Sequence, residues 1–277
     1  DDDSYLNLAA AYEILQTSAL IHDDIADRAT LRRGEKTITK KFPGHLGLSR
    51  AVWIGDLGIF LAEKLLSETD PKTIKNLDKI QNLVNQTFYQ TSLGEITDIE
   101  LPYASLKTHK TLPEKIIFDI YIYKTAFYTI STPLEIGALS ANAPEKDLKI
   151  LREFGKNLGI AFQIQDDLLG LYETPDNLGK TTNDISENKQ TIIYKHAIDH
   201  ASESDLKIIK SLYGKSTNTP AETAQLLALF DSLGSRAYAE NLIKEHTSIA
   251  LSALKNLSSP QKSLLADFAN ILLARQK

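Results

Sequence analysis

The chain has 277 residues, of which 42% are apolar, and it carries a formal net charge of −5 at pH 7. It contains no cysteine, which excludes disulfide bonds, thiol catalysis and thiolate zinc sites. The acidic balance argues against a nucleic-acid surface, and no apolar run is long enough to span a membrane. We therefore expect a cytoplasmic protein with no transmembrane segment and no nucleic-acid partner.

Helix signals recur along the whole chain, as capping residues followed by apolar residues at spacings of three and four. No segment shows sustained strand alternation, and no linker or internal repeat divides the chain. These features predict a single all-α domain over residues 1–277. The predicted helices lie near residues 4–27, 47–67, 72–99, 113–140, 144–173, 190–212, 220–256 and 260–276.

Long loops are predicted at residues 31–46, 100–112 and 174–189. Loops of this length are uncommon in compact helical domains and are often functional, and two of the three adjoin an acidic cluster. Pro133 lies inside an apolar helical run, where it predicts a kink.

The first acidic cluster consists of Asp23, Asp24 and Asp27. A helix places Asp23 and Asp27 on one face, where the two carboxylates repel each other unless a cation lies between them. Oxygen ligands favour a hard ion such as Mg²⁺, and Arg32 and Arg33 supply forked donors for phosphate oxygens. The cluster predicts a diphosphate site made of metal and arginine. The alternative is an acidic helix end whose charge the arginines offset.

A second acidic pair, Asp166 and Asp167, ends a long apolar helix. If this helix lies opposite the one that carries Asp23, the two line a shared cavity with carboxylates. The loop that follows carries Lys180 and Lys189, which are then placed to close over an anionic ligand.

Further polar residues lie between the two acidic clusters. Lys124 and Thr125 place a cation and a hydroxyl on an otherwise apolar helix. The alternative for Lys124 is a surface lysine whose stem covers apolar surface. For Glu95 and Asp98, a surface or supporting role is favoured over metal ligation.

Taken in order, these motifs resemble the trans-isoprenyl diphosphate synthases, the polyprenyl synthetase family. The resemblance rests on the aspartate-rich pattern that ends at Asp27, the following Arg32 and Arg33, Lys124, and the later Asp166 pair. It covers nearly the whole chain. It implies a bundle of antiparallel helices around a deep central cavity, usually in a homodimer.

The same resemblance implies a reaction, the Mg²⁺-dependent head-to-tail condensation of isopentenyl diphosphate with an allylic diphosphate. Mg²⁺ and protein cations neutralise the charge that develops as the diphosphate leaves. The double bond of isopentenyl diphosphate attacks the resulting allylic cation, and the departing diphosphate takes the proton. This fits a sequence with no convincing catalytic histidine or glutamate.

The resemblance also assigns roles to individual residues. Asp23 and Asp27 would bind Mg²⁺ with support from Asp24, and Asp166 would bind a further ion, for about three per active site. The substrate contacts implied are Arg32, Lys124 and Lys180 to the allylic diphosphate, Thr125 and Gln163 beside the reacting carbons, and Arg33 and Gln16 to isopentenyl diphosphate.

The sequence departs from the family pattern in three places. Gly170 stands where many members have a third aspartate in the second motif, and we expect activity to survive this change. Gln16 stands where a histidine often contacts isopentenyl diphosphate. The Gly-Lys-Arg segment that binds isopentenyl diphosphate in the family is expected upstream of residue 1.

Product length is argued from the helix that leads into Asp23, because one isoprene unit spans about 5 Å, close to one helical turn. Ser18 and Ala19 are small, which predicts passage of chains longer than about fifteen carbons. Leu15 and Tyr12 lie farther along and predict a floor near about twenty to twenty-five carbons. A geranylgeranyl-type product is therefore expected.

Other functions remain open at this point. A farnesyl or longer-chain polyprenyl synthase has the same motifs, and a long-chain enzyme can require a partner subunit. A non-catalytic subunit of a heteromeric synthase usually loses the aspartates that are present here. A class I terpene cyclase shares the first motif, but it tends to replace the second aspartate pair and to lack the two arginines.

Overall fold

The computed structural model describes residues 3–108, 112–173 and 184–274, with the backbone alone at 103–108. Nearly all regular structure in these residues is helical, as the sequence predicted. No described helix is both long enough and apolar enough to cross a membrane. The helices are α1 (Asp3–Ala26), α2 (Ile38–Lys41), α3 (Gly44–Ser67), α4 (Leu77–Thr108), α5 (Glu114–Ile120), the π-helical segment (Tyr121–Ser131), α6 (Thr132–Ser140), α7 (Glu145–Tyr172), α8 (Ile192–His200), α9 (Glu203–Leu212), α10 (Pro220–Ser232), α11 (Ser235–Leu254) and α12 (Lys262–Leu273).

The loop predicted at 31–46 contains α2 and a small β-ribbon, neither of which the sequence predicted. Strand β1 (Leu31–Arg32) pairs antiparallel with β2 (Glu35–Lys36). Between them, Arg33 and Gly34 have φ values of 53° and 80°, as in a type I′ hairpin turn. Strands of two residues are too short to show alternation in a sequence, and this small ribbon leaves the predicted all-α class unchanged.

The predicted loop at 100–112 is also wrong over most of its length, because α4 continues to Thr108. Pro102 lies inside this helix, although proline usually ends one. The carbonyl of Pro102 accepts a hydrogen bond from Asn188 Nδ2 at 3.3 Å. The contact is long-range, and no local signal predicts it.

Two predicted helices are each divided in the structure. At residues 190–212 the break comes at Ser202, which forms a reciprocal capping box with Asp205 at the start of α9. At residues 220–256 the break comes at Gly234, whose φ of 76° lies in the left-handed region and ends α10. Both breaks have local signals that apolar spacing alone does not reveal.

Pro133 lies where the helix changes from the π-helical to the α-helical pattern, and the kink itself stays a prediction. The N–H of Thr132 bonds to the carbonyl of Phe127, five residues back, which is the π-helical pattern. Residue 133 would next donate to the carbonyl of Tyr128, but proline has no N–H. The hydroxyl of Tyr12 donates to that carbonyl instead, at 2.6 Å, so α1 is bonded to the π-helical segment close to Pro133.

Helices α4, α5, α6 and α7 pack against this segment. Helix α1 packs along α3, and α7 packs along both the π-helical segment and α11. The approach of α7 depends on Gly155 and Gly159, where a Cβ would lie 2.5 Å from Ser131 Cα and 2.4 Å from Ala126 Cα. Buried apolar side chains form three clusters around these contacts. Together, α1, α4, the π-helical segment and α7 surround a polar cavity.

Candidate active site

The cavity has a volume of about 280 Å³, and its walls carry many charged side chains. Both aspartate-bearing helices, α1 and α7, contribute to it. The charged residues that line it are Asp23, Asp27, Glu95, Asp98, Asp166, Asp167, Arg32, Arg33, Lys124 and Lys189.

Helix α1 presents one face to the cavity. Asp23 and Asp27 lie on that face, as their spacing predicted, together with Gln16, Ala19 and Leu20. The sequence therefore identified the cavity-facing surface of α1 near its end.

Asp24 lies beneath the rim and holds Arg32 in place. It is only 7% exposed, and its Oδ1 accepts a hydrogen bond from Arg32 Nε at 2.6 Å. The Arg32 Nη2 donates to Asp23 Oδ2, also at 2.6 Å. The fork of Arg32 thus joins the two aspartates and fixes the guanidinium at the mouth of the cavity.

Lys124 projects into the cavity from the π-helical segment, so its alternative interpretation as a surface lysine is wrong. Its Nζ lies 2.5 Å from Asp98 Oδ2, 3.0 Å from Glu95 Oε2 and 3.8 Å from Asp23 Oδ1. Glu95 and Asp98 belong to α4 and line the cavity, which agrees with the expected supporting role but not with a surface position.

The carboxylates around Lys124 have different pKa shifts. Burial would raise the pKa of Asp98, but Lys124 and Lys189 together outweigh burial and the pKa is lowered. For Glu95, burial outweighs Lys124 and the pKa is raised. The Oε1 of Glu95 is buried without a hydrogen-bond partner among the described residues.

Lys189 approaches from the segment after the second motif. Its Nζ lies 4.0 Å from Asp27 Oδ2, 3.9 Å from Asp184 Oδ1 and 3.4 Å from Glu187 Oε2. The sequence placed this lysine in a loop able to close over an anion, and the structure places it in the cavity wall. Although Lys189 is far from Asp27 in the sequence, the two side chains lie close together in the structure.

Helix α7 supplies Gln163, Asp166 and Asp167 to the cavity. Thr125 donates to Gln163 Oε1 at 2.6 Å, and Gln163 Nε2 donates to Asp167 Oδ1 at 2.9 Å. Asp167 also accepts from the hydroxyl of Tyr121. Burial, with the nearby Asp184 carboxylate, raises the pKa of Asp167 to about 8.

Beside Gly170, where many family members have a third aspartate, the structure places the carboxylate of Asp184. A Cβ at Gly170 would lie 2.6 Å from Asp184 Oδ2, so the carboxylate of Asp184 fills the space beside residue 170. An aspartate at position 170 would collide with it unless Asp184 moved. The departure from the family pattern therefore leaves a carboxylate at that place, supplied from farther along the chain.

The four residues predicted to set product length occupy different environments. Ala19 lines the cavity. Tyr12 lies beyond Gln16 along α1, and its ring packs against Phe88 at a centroid distance of 5.8 Å. Its hydroxyl bonds to Tyr128, whose side chain lines the cavity.

Tyr12, Leu15 and Ser18 are not among the described residues that line the cavity, so Ala19 alone of the four has the expected placement. Leu15 is buried in the apolar cluster of α1, α3, α4 and α6. Ser18 is buried against Gly58 of α3 and bonds to the Ile14 carbonyl. Because α1 is covered on several sides, small size did not reveal which residues face the cavity.

Some residues of the cavity were missed from the sequence, and one predicted residue cannot be placed. Thr91 and Thr129 line the cavity; the spacing of Thr91 from Glu95 and Asp98 on α4 was an available signal. Lys180 lies outside the described residues.

The charge balance of the cavity suits divalent cations. Among the described residues, six carboxylates and four cationic side chains line it, and an entering diphosphate would add further negative charge. The donors are oxygens, which Mg²⁺ prefers. No three described carboxylates or histidines form a ready-made metal site, which suits an ion held by one or two carboxylates and phosphate oxygens.

A family model described as Polyprenyl synthetase matches residues 1–230. An all-α bundle with two aspartate-bearing helices facing one cavity is the architecture that the resemblance implied. The chain belongs to the polyprenyl synthetase family and is a trans-prenyltransferase.

One curated protein and two solved structures illustrate the similarity to this family. The chain is 34% identical over 269 residues to a geranylgeranyl diphosphate synthase of Sulfolobus acidocaldarius, covering 94% of this chain and 78% of that protein. Its fold matches a geranylgeranyl pyrophosphate synthase of Corynebacterium glutamicum, solved with isoprenyl diphosphate and magnesium, with a TM-score of 0.88, 28% identity and coverage of 100% and 80%. A polyprenyl synthase of Caulobacter crescentus, solved with calcium and isoprenyl diphosphate, matches with a TM-score of 0.85, 26% identity and coverage of 100% and 80%.

Proposed function

We propose that this chain condenses isopentenyl diphosphate with allylic diphosphates, head to tail, and that geranylgeranyl diphosphate is its main product. The observation that carries the proposal is the meeting of Asp23, Asp27 and Asp166 with Arg32 and Lys124 in one cavity. The named activities of the Sulfolobus and Corynebacterium relatives support the choice of product.

Mg²⁺ is the proposed cofactor, with about three ions per site. Asp23 and Asp27 would hold ions on the α1 wall, and Asp166 would hold one on the α7 wall. When bound, the ions neutralise the negative charge that develops on the diphosphate. Support comes from the excess of carboxylates in the cavity and from the magnesium and calcium in the two related structures.

The protein cations are proposed to bind and orient the diphosphates. Arg32 and Lys124 would contact the allylic diphosphate, as would Lys180, and Arg33 would contact isopentenyl diphosphate with Gln16. Asp24 and Asp98 position Arg32 and Lys124 through their short hydrogen bonds. Preorganised cations of this kind stabilise a leaving anion without having to reorganise during the reaction.

The reacting carbons are proposed to lie beside Thr125 and Gln163, which are hydrogen-bonded to each other. None of the described residues that line the cavity is a histidine. A proton released from the new carbon–carbon linkage would therefore pass to the departing diphosphate. Asp24 is proposed to support these steps through its hydrogen bond with Arg32.

The proposed product length follows from the position of Tyr12. Asp23 and Tyr12 are eleven positions apart, about 16 Å along α1. At about 5 Å per isoprene unit, near the pitch of a helix, three units fit above Tyr12 and a fourth does not. A farnesyl primer would be accepted and extended to geranylgeranyl diphosphate, which would then be too long to serve as a primer.

A homodimer is proposed on the basis of an exposed apolar face. Trp53, Leu57 and Phe60 of α3 are 71%, 64% and 69% exposed and repeat at helical spacing. Tyr89 and Leu93 of α4 are also large, apolar and exposed. Contiguous apolar surface of this kind marks a protein interface.

The deciding experiment is product chromatography with the full chain, Mg²⁺, isopentenyl diphosphate and dimethylallyl diphosphate. We expect geranylgeranyl diphosphate to predominate, and we expect chelation of Mg²⁺ to abolish its formation. A farnesyl or longer main product would refute the product length. Failure to release diphosphate from any allylic primer would refute the prenyltransferase function of the isolated chain.

A further inference from the structure

Helix α4 carries a line of polar side chains that descends from the mouth of the cavity. Its members are Thr87, Thr91, Glu95 and Asp98, three or four residues apart. Glu95 and Asp98 contact Lys124 at the mouth. At the inner end, Thr87 bonds to Thr132 Oγ1 and to the Leu83 carbonyl, both at 2.8 Å.

Thr91 is the exception in this line. Its side chain lines the cavity and is only 8% exposed, yet its Oγ1 has no hydrogen-bond partner among the described residues. Thr87 and Thr97 on the same helix satisfy their hydroxyls by donating to the carbonyl four residues back. A buried hydroxyl that forgoes this local bond requires a partner from the cavity itself.

The depth of Thr91 determines which substrates reach it. It lies seven positions before Asp98, about 10 Å along α4. At about 5 Å per isoprene unit, near the helical pitch, a dimethylallyl chain ends above Thr91. A farnesyl chain must pass it to reach the aromatic residues Tyr12 and Tyr128.

We propose that Thr91 is a specificity-determining residue that discriminates against long prenyl primers; this inference rests on the proposed function. In the free enzyme a water molecule in the cavity satisfies the hydroxyl. A long prenyl chain displaces the water and has no hydrogen-bonding atom to replace it, so the hydroxyl remains buried and unpaired. A short primer leaves the water in place. Thr91 therefore slows the final addition and sets the ratio of farnesyl to geranylgeranyl product.

The test uses Thr91→Val, which keeps the shape of the side chain and removes the hydroxyl. The measured quantity is kcat/KM for farnesyl diphosphate divided by kcat/KM for dimethylallyl diphosphate. We expect this ratio to rise about tenfold in the variant, the size expected for relief of one buried unpaired hydroxyl. The melting temperature should equal or exceed that of the wild type, since no bond within the protein is lost.

Thr87→Val is the matched control. The same atom is removed one turn away on α4, but Thr87 is paired with Thr132 and is not among the residues that line the cavity. We expect this control to lower the melting temperature and to leave the primer ratio unchanged.

Each outcome has a distinct meaning. An unchanged ratio in a folded Thr91→Val variant would overturn the inference. Equal losses with both primers would also overturn it, since they would give Thr91 a general role in binding or catalysis. If the wild-type chain elongates neither primer, the proposed function itself fails.

Discussion

At the scale of single residues, Asp23 and Asp27 lie one helical turn apart, but their pKa values are shifted in opposite directions. Burial would raise the pKa of Asp23, but Lys124, Lys189 and Arg32 together lower it. For Asp27, burial outweighs Lys189 and the pKa is raised. The charge on Asp23 therefore stabilises the fold at neutral pH, whereas the charge on Asp27 costs free energy.

The variants Asp23→Asn and Asp27→Asn should both lose turnover, because each removes a proposed metal-binding carboxylate. Their stabilities should differ. Asp23→Asn deprives Arg32 and Lys124 of a charged partner, so it should lower the free energy of unfolding by about 1–2 kcal/mol. Asp27→Asn should be neutral or stabilising. Urea denaturation without divalent cations measures both, and a uniform gain in stability would show that repulsion between the two carboxylates dominates instead.

Asp167 provides a prediction about pH. Its pKa is raised to about 8 in the fold, so between pH ~4 and ~8 the folded state binds a proton that the unfolded state has released. The stability from this group is present at low pH and is lost as pH rises toward 8, by at most about 1.4 kcal/mol per pH unit. Asp167→Asn should remove this dependence. Urea denaturation at pH 5.5 and 8 measures this dependence: the free energy of unfolding should fall less with rising pH in the variant than in the wild type. An equal fall in both proteins would refute the raised pKa of Asp167.

At the scale of elements, the π-helical segment lines both the part of the cavity proposed to bind the diphosphate and metal and the part proposed to hold the prenyl chain. It carries Lys124 and Thr125 near the mouth and Tyr128 at the inner end. Pro133 leaves the Tyr128 carbonyl without an N–H partner, and the Tyr12 hydroxyl fills that place. The residue proposed to limit chain length is thus bonded to the segment close to the proline that follows its end.

Two variants of Tyr12 should separate anchoring from chain length. Tyr12→Phe keeps the ring beside Phe88 but leaves the Tyr128 carbonyl unpaired, so it should cost about 1–3 kcal/mol of stability without changing the product. Tyr12→Ala also removes the ring and should lengthen the product. Product chromatography and urea denaturation distinguish the two effects. An unchanged product from Tyr12→Ala would exclude this tyrosine as the limit.

At the scale of the whole molecule, the exposed apolar face of α3 is a feature that a monomer does not explain. Helix α3 contacts α1 on one side and exposes Trp53, Leu57 and Phe60 on another. Exposed fractions of 71%, 64% and 69% leave large side chains in water, at a cost of about 25 cal/mol per Å² of apolar surface. A second copy that packs against this face would remove that cost.

If the chain forms the proposed dimer through this face, Trp53→Glu combined with Phe60→Glu should make it monomeric. Light scattering after size-exclusion chromatography measures the mass directly. Glu68→Lys, at the exposed residue that directly follows α3, is the control for a change of charge and should leave the proposed dimer intact. A wild-type chain that is monomeric at micromolar concentration would contradict the proposed interface.

Much of the fold and part of the site could be predicted from local sequence. Helix positions follow apolar spacing and capping residues, and the pairing of Asp23 with Asp27 on one face follows from helical geometry. The breaks at Ser202 and Gly234 were missed, although both carry local signals. The extension of α4 through Pro102 had no such signal.

The sequence alone determined the family, the all-α class and the charged residues of the two motifs, because these depend on residue types at short spacings. Only the tertiary structure decided how each helix is rotated about its axis. That rotation places Ala19 in the cavity and Leu15 in the core, brings Lys189 to Asp27, and leaves the Thr91 hydroxyl unpaired. Neighbouring helices fix it by packing from several sides, and no short stretch of sequence encodes those contacts.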